Sequence, residues 1–196
     1  MKRHNNDLSG FVSPVPLVTL PETITLPALG ESWLIECLPM KTRRIGIMME
    51  KPGRLTMYGA VADPDACRAV LIQWLKRRTR EELVPWLSRL AGENGFRFNE
   101  VLIRGQKTRW ASCSSRGTIS LSYKLLFLER DSVRCVLMHE LCHTVLMNHS
   151  HRFWTMLCGL EPECKTIRKR MRDGWKQVPA WVEGLAERGS PGKGLV

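Results

Sequence analysis

Between His139 and His149 the chain reads HELCHTVLMNH, and this stretch asks for a helix and also for the point at which that helix must stop. Residues four apart on an α-helix lie about 40° apart around the axis and about 6 Å along it, so His139 and His143 project from one face and can share a metal ion. Glu140 is turned about 100° from His139, which suits a carboxylate that reaches a metal-bound water instead of the metal. A catalytic zinc usually takes three protein ligands and keeps one position for water, so two imidazoles leave the set incomplete. His149 is the candidate for the third. On a straight continuation of the helix it would lie about 15 Å from His139, whereas zinc–nitrogen bonds are about 2.0–2.1 Å, so the helix has to end before it. Asn148 is expected to make that turn, since asparagine accepts a left-handed conformation better than most residues.

A histidine pair on a half-apolar helix can also be hydrogen-bonded core. Two facts set this one apart: Glu140 occupies the position the chemistry wants, and four of the five histidines, His139, His143, His149 and His151, fall in one short segment with only His4 elsewhere. One zinc ion is therefore the expected cofactor. Cys142, inside the same segment, points about 100° back from His143 and is expected to pack as a small hydrophobe behind the site.

The rest of the chain reads as one α+β domain over 23–187, preceded by a Pro-rich leader over 1–22 and followed by a Gly/Pro-rich tail over 188–196. Short β-rich runs at Trp33 to Cys37, Arg44 to Met49 and Arg54 to Tyr58 suggest antiparallel hairpins or a meander, with the clearest turn at Lys51-Pro52-Gly53. Asp63-Pro64 looks like an N-cap followed by a first-turn proline. A second helix is expected from Thr79, where Glu82 completes a capping box, with Pro85 kinking or restarting it before Gly92 and Gly95. Strands follow at Glu100 to Arg104 and Gly117 to Tyr123. Asp131 or Ser132 would cap the His139 helix, and a short helix from His151 would bury Phe153, Trp154 and Leu157 as its core face. Beyond Pro162 a basic helix runs from Thr166 through Trp175, and Trp181 and Leu185 belong to a last helical piece.

From Trp110 to Trp154 the chain reads RWASCSSRGTISLSYKLLF, then MHELCH, then MNHSHRFW, and this resembles the YgjP-like metallopeptidase family, relatives of the SprT-like and WLM peptidases; the specific part is 107–175. That family shows a W-G-S-C-S element, HELxH, and an N-H-S-P-x-F-W segment whose histidine is taken as the third zinc ligand. The resemblance implies a zincin-like metallopeptidase domain, with His139, His143 and His149 as ligands, Glu140 as the base and a peptide or protein as substrate. Two positions depart from the pattern. Ala111 replaces a glycine, which matters only if that backbone needs positive φ or a very close approach. His151 stands where proline is common, and is read as solvated or secondary. Tyr123, His151 and Arg152 are candidate electrophiles for the oxyanion. Cys113, in the W-x-S-C element, is read as a packing thiol. In such peptidases a strand bordering the cleft pairs with an extended substrate; here that strand is expected to be Gly117 to Tyr123.

Thirty Lys and Arg against 19 Asp and Glu give a net charge of +11, which favours contact with polyanions without conferring specificity. The basic runs at Lys76 to Arg80, around Arg104, Lys107 and Arg109, and at Lys165 to Arg172 carry the alternative of nonspecific nucleic-acid contact, as in SprT-like peptidases that act near DNA. A further alternative keeps the metal and changes the bond, to a nucleotide phosphate. No run is long enough for a membrane span. Seven cysteines scattered without C-x-x-C pairs argue against a disulfide framework and for a reducing, cytoplasmic setting.

Overall fold

The computed structural model describes residues 20–183; the expected leader, the tail and Leu185 lie outside that range in whole or in large part. Four strands open the described range: β1 (Thr23–Leu26), β2 (Glu31–Pro39), β3 (Ile45–Lys51) and β4 (Arg54–Gly59), in the sheet order β1-β2-β4-β3. The pairing of β3 with β4 is the expected antiparallel hairpin; β1, which is not among the expected strands, also pairs antiparallel, with β2. The central pairing is not antiparallel: β2 runs parallel to β4, from Leu34 opposite Arg54 to Pro39 opposite Gly59. The β3–β4 turn sits at Pro52-Gly53, where Gly53 takes φ 88°, the positive value that glycine supplies at the second turn position after proline.

Helix α1 (Pro64–Asn94) is a single helix of 31 residues, not two. Asp63 caps it as expected, accepting from the backbone N–H groups of Asp65 and Ala66, and Gly95 ends it at φ 71°. Thr79 is no cap. Its buried hydroxyl donates to the carbonyl of Leu75 at 2.7 Å, one turn back on the same helix. Pro85 removes one backbone donor, but Leu83, Trp86, Leu87 and Leu90 around it are all buried, and that packing carries the helix through. α1 is the spine of the fold, touching β3, β5, the 3-10 turn before the next helix, and α2.

A second sheet contains β5 (Glu100–Arg104), β6 (Ala111–Cys113) and β7 (Thr118–Ser122), in the order β5-β7-β6, with β7 parallel to β5 and antiparallel to β6. β7 does not run straight into the next helix; a 3-10 turn over Tyr123–Phe127 intervenes, capped by the Ser122 side chain. Then come α2 (Arg130–His143), α3 (His151–Leu160), α4 (Cys164–Met171), a second 3-10 turn over Gly174–Gln177 and α5 (Ala180–Glu183). The α2 N-cap is Glu129, which makes no side-chain cap bond; Asp131 lies in the first turn and Ser132 is buried within it. The expected role of those two as caps is thus corrected, although the acid at 131 still complements the helix dipole.

Trp110 explains the W-x-S-C element. It is 1% exposed and stacks on Trp175 at 4.0 Å, so it fastens β6 to the carboxy-terminal turn. Ala111 beside it is fully buried, and no residue other than glycine takes positive φ among those described, so the glycine-to-alanine departure strains nothing. Cys158 and Cys164 are bonded, tying the end of α3 to the start of α4. Cys37, Cys67, Cys113, Cys135 and Cys142 are free thiols.

Candidate active site

Helix α2 carries His139, Glu140 and His143 in its last turn and ends there, with Thr144 as C-cap. The turn that returns the chain to the site involves no left-handed Asn148, since the described residues include no positive φ outside glycine. Instead the backbone N–H groups of Val145 and Leu146 both bond to the Cys142 carbonyl, and the loop reverses before His149. The three Nε2 atoms of His139, His143 and His149 then lie 3.0–3.1 Å from one another.

Hydrogen bonding alone does not account for that triangle. A ring nitrogen is either a donor or an acceptor, so three mutually close Nε2 atoms always leave at least one pair of lone pairs, or one pair of protons, facing each other. A cation receiving all three lone pairs resolves the conflict, and bonds of about 2.0–2.1 Å are compatible with these separations. The Nδ1 of His143 faces the Leu146 carbonyl at 3.0 Å; its proton belongs there, which leaves Nε2 free to coordinate. Burial and then the neighbouring His143, His149 and Arg168 push His139 down to about 2. Burial likewise lowers His143, and burial followed by His143 and Arg168 lowers His149. All three imidazoles are therefore neutral, as ligands must be.

Glu140 is fully buried and neither carboxylate oxygen has a hydrogen-bond partner. Burial pushes its carboxyl up to about 8, with Arg109 pulling in the opposite direction. A buried carboxyl one residue from a ligand triangle, poised near neutrality, is what a proton-transferring group requires.

Phe153 and Trp154 hold the triangle in place. The Phe153 ring is unexposed and its centroid lies 4.8, 4.6 and 4.9 Å from those of His139, His143 and His149. Trp154 stacks on His149 at 5.5 Å and is covered on its side by the Arg168 guanidinium, 4.4 Å from the ring. The expected core role of Phe153 and Leu157 holds; Trp154 is partly buried, packs against the core and also lines a pocket. Sequence reasoning missed the support role of Phe153 and Trp154, and missed Arg109 and Arg168. The available signal was the aromatic pair one helical turn beyond His149.

Other candidates fall elsewhere. Cys142 is buried with its thiol raised to about 12 by burial, Cys135 and Glu161, a packing residue as expected. Cys113, partly exposed on β6, is raised to about 11 by burial and by Glu140, which keeps it a thiol rather than a nucleophilic thiolate. His151 is exposed and outside the triangle, with Nδ1 3.4 Å from the Thr155 hydroxyl. Arg152 is exposed beside it. Tyr123 is buried in the 3-10 turn, its ring beneath Lys76 of α1.

A helix bearing His-Glu-x-x-His, completed by one imidazole from the loop that follows, defines a class of single-metal hydrolases. The model of the YgjP-like metallopeptidase domain matches residues 15–174. The chain belongs to the YgjP-like metallopeptidase family, and is a hydrolytic enzyme with a mixed α+β fold. Among solved structures, it is similar to the crystal structure of the metallopeptidase zymogen abylysin of Pyrococcus abyssi, with 30% identity over 46% of this chain and 91% of that one and a TM-score of 0.42. No curated protein matches. No helix among the described residues is long and apolar enough to cross a membrane.

Proposed function

We propose that this metallopeptidase hydrolyses peptide bonds with one zinc ion held by His139, His143 and His149 and with Glu140 as general base. The observation that carries the reading is the convergence of three neutral Nε2 atoms next to a buried, unpartnered carboxyl. Bound zinc would supply Lewis acidity, polarising the scissile carbonyl and making water easier to deprotonate. Glu140 takes a proton from the attacking water on one carboxylate oxygen and returns it to the departing amine nitrogen. A carboxyl near neutrality serves both directions. Arg109 lies close enough to stabilise the ionised state of Glu140.

The peptide would lie along β6. β7, the strand expected to bind it, is flanked by β5 and β6 and has no free edge. β6 has one, and it packs against α2, so its unpaired backbone groups are the ones able to add an extended chain beside the triangle. A phosphorus substrate fits less well, because phosphoryl chemistry favours carboxylate-rich or paired-metal sites, and the metal-ligating cluster found among the described residues is built of imidazoles alone.

Elemental analysis and peptide cleavage on Glu140→Gln test the assignment. Zinc retained at one equivalent with turnover lost is the expected result, with casein-type peptides cleaved by the unaltered protein and nucleoside triphosphates left intact. Unchanged peptide turnover in the variant would remove Glu140 from the mechanism.

A further inference from the structure

Beside His139 a pocket opens between α2, α3 and α4. Its walls are apolar, with Val136, Leu157 and Met171 at their centre, and the indole of Trp154 forms one side. The only charged side chain lining it is Arg168. That guanidinium is held in place by its stacking on Trp154 and lies near enough to act electrostatically on both His139 and His149. No carboxylate among the described residues pairs with it; Glu161, close enough to act on the pocket's Cys135, is taken by Arg134 at 2.8 Å. Lys165, Lys169 and Arg172 share its exposed helix face at three- and four-residue spacing, again without an acidic partner among the described residues. An oriented guanidinium over an apolar pocket, with no counterion among the described residues, is suited to receive a planar carboxylate carried on a short hydrocarbon stem.

We propose that this pocket is a specificity site for a substrate residue bearing a carboxylate next to the scissile bond, with Arg168 as the residue that recognises it. The inference rests on the peptidase reading and adds its substrate class. Two sources supply the same group: the side chain of an internal Glu or Asp, or the free end of a peptide chain. The stem would lie against Leu157 and Met171 while the carboxylate meets Arg168, and the cations of the α4 face would draw acidic peptides toward the mouth.

The test uses the full, zinc-loaded chain and quenched fluorescent peptides that differ only in having Glu, Gln, Leu or Arg beside the cleaved bond. A second set places that bond next to a terminal residue, as free acid or amide. The expected result is a kcat/KM at least about tenfold higher for Glu than for Gln, or for free acid than for amide, whichever source is the natural one. That ratio should fall to near one in Arg168→Gln, persist in part in Arg168→Lys, and invert toward the Arg peptide in Arg168→Glu. Binding of the same peptides to zinc-loaded Glu140→Gln, followed by calorimetry, reads the pocket without turnover. A carboxylate preference in binding that Arg168→Gln abolishes, without any cleavage by the unaltered protein, would uphold the pocket and sink the peptidase reading. Equal binding of Glu and Gln peptides and of acid and amide, or a preference unchanged in Arg168→Gln, would overturn the pocket.

Discussion

Replacing Phe153 by alanine should damage stability and metal affinity together, because one ring serves both. The side chain is unexposed, and its loss from a packed site costs about 3–5 kcal/mol. For a chain of this size each kcal/mol moves the midpoint by about 2–4 °C, so metal-free protein should melt about 6–20 °C lower. The same ring touches all three imidazoles at 4.6 to 4.9 Å. Without it the rings regain rotamer freedom that zinc must then remove, and affinity should fall about 10–100-fold, as when other supports of metal ligands are lost. Leu83→Ala is the matched control: Leu83 is equally buried but sits on α1, so it should lower the melting point by a similar amount and leave affinity alone. Thermal melts in chelator and zinc titration against a chromophoric competitor, both well below the midpoint, provide the two readouts. Phe153→Leu, which keeps most of the volume, should lie between. If Phe153→Ala bound zinc as tightly as Leu83→Ala did, the ring would be core and nothing more.

Glu140→Gln should stabilise the metal-free protein in a pH-dependent way. The folded carboxyl is raised from 4.5 to about 8, so its contribution is fully present below about pH 4.5 and is lost as pH rises through about 8, by about 5 kcal/mol in all. Gln carries no such loss; melts in chelator should show the variant's advantage opening between about pH 4.5 and 8, and a gap constant across that range would contradict the burial argument. His149→Ala should weaken zinc binding by far more than His151→Ala, since only the first imidazole joins the triangle; equal effects in competition titrations would exchange their roles. Lys124 is 2% exposed, 3.3 Å from Glu183 and over the Trp175 ring. Lys124→Met, which keeps the stem, should stay within about 1 kcal/mol in urea unfolding, whereas Lys124→Ala should lose about 2–4 kcal/mol.

What the sequence disclosed was local. His139, Glu140, His143 and His149 could be read together because a helical turn and one reversal bring them together; Asp63 announced the start of α1 by its side-chain acceptor, and Gly95 marked its end because it has no Cβ to oppose a positive φ. Pro85 misled because the backbone penalty of a proline is a local quantity, while the burial of Leu83, Trp86 and Leu87 that overrides it depends on distant elements. The parallel pairing of β2 with β4, and the choice of β6 over β7 as the free edge, are likewise decided by neighbours far along the chain. Asn148 failed as the turn-maker for a simpler reason: the helix ends on carbonyl bonds at Cys142 and needs no left-handed residue. Arg168 reads as one more basic residue until Trp154 is seen beneath it.

All three imidazole donors, and the phenylalanine that backs them, lie between His139 and Phe153, so the loops closed by coordination are short and their closure entropy small. The donor set is thus portable. A circular permutant opened at the Pro52-Gly53 turn, or a pair of fragments divided in the loop after α1, would carry it undivided on a single piece of chain. A centre assembled from widely separated strands would lose its geometry under the same rearrangement.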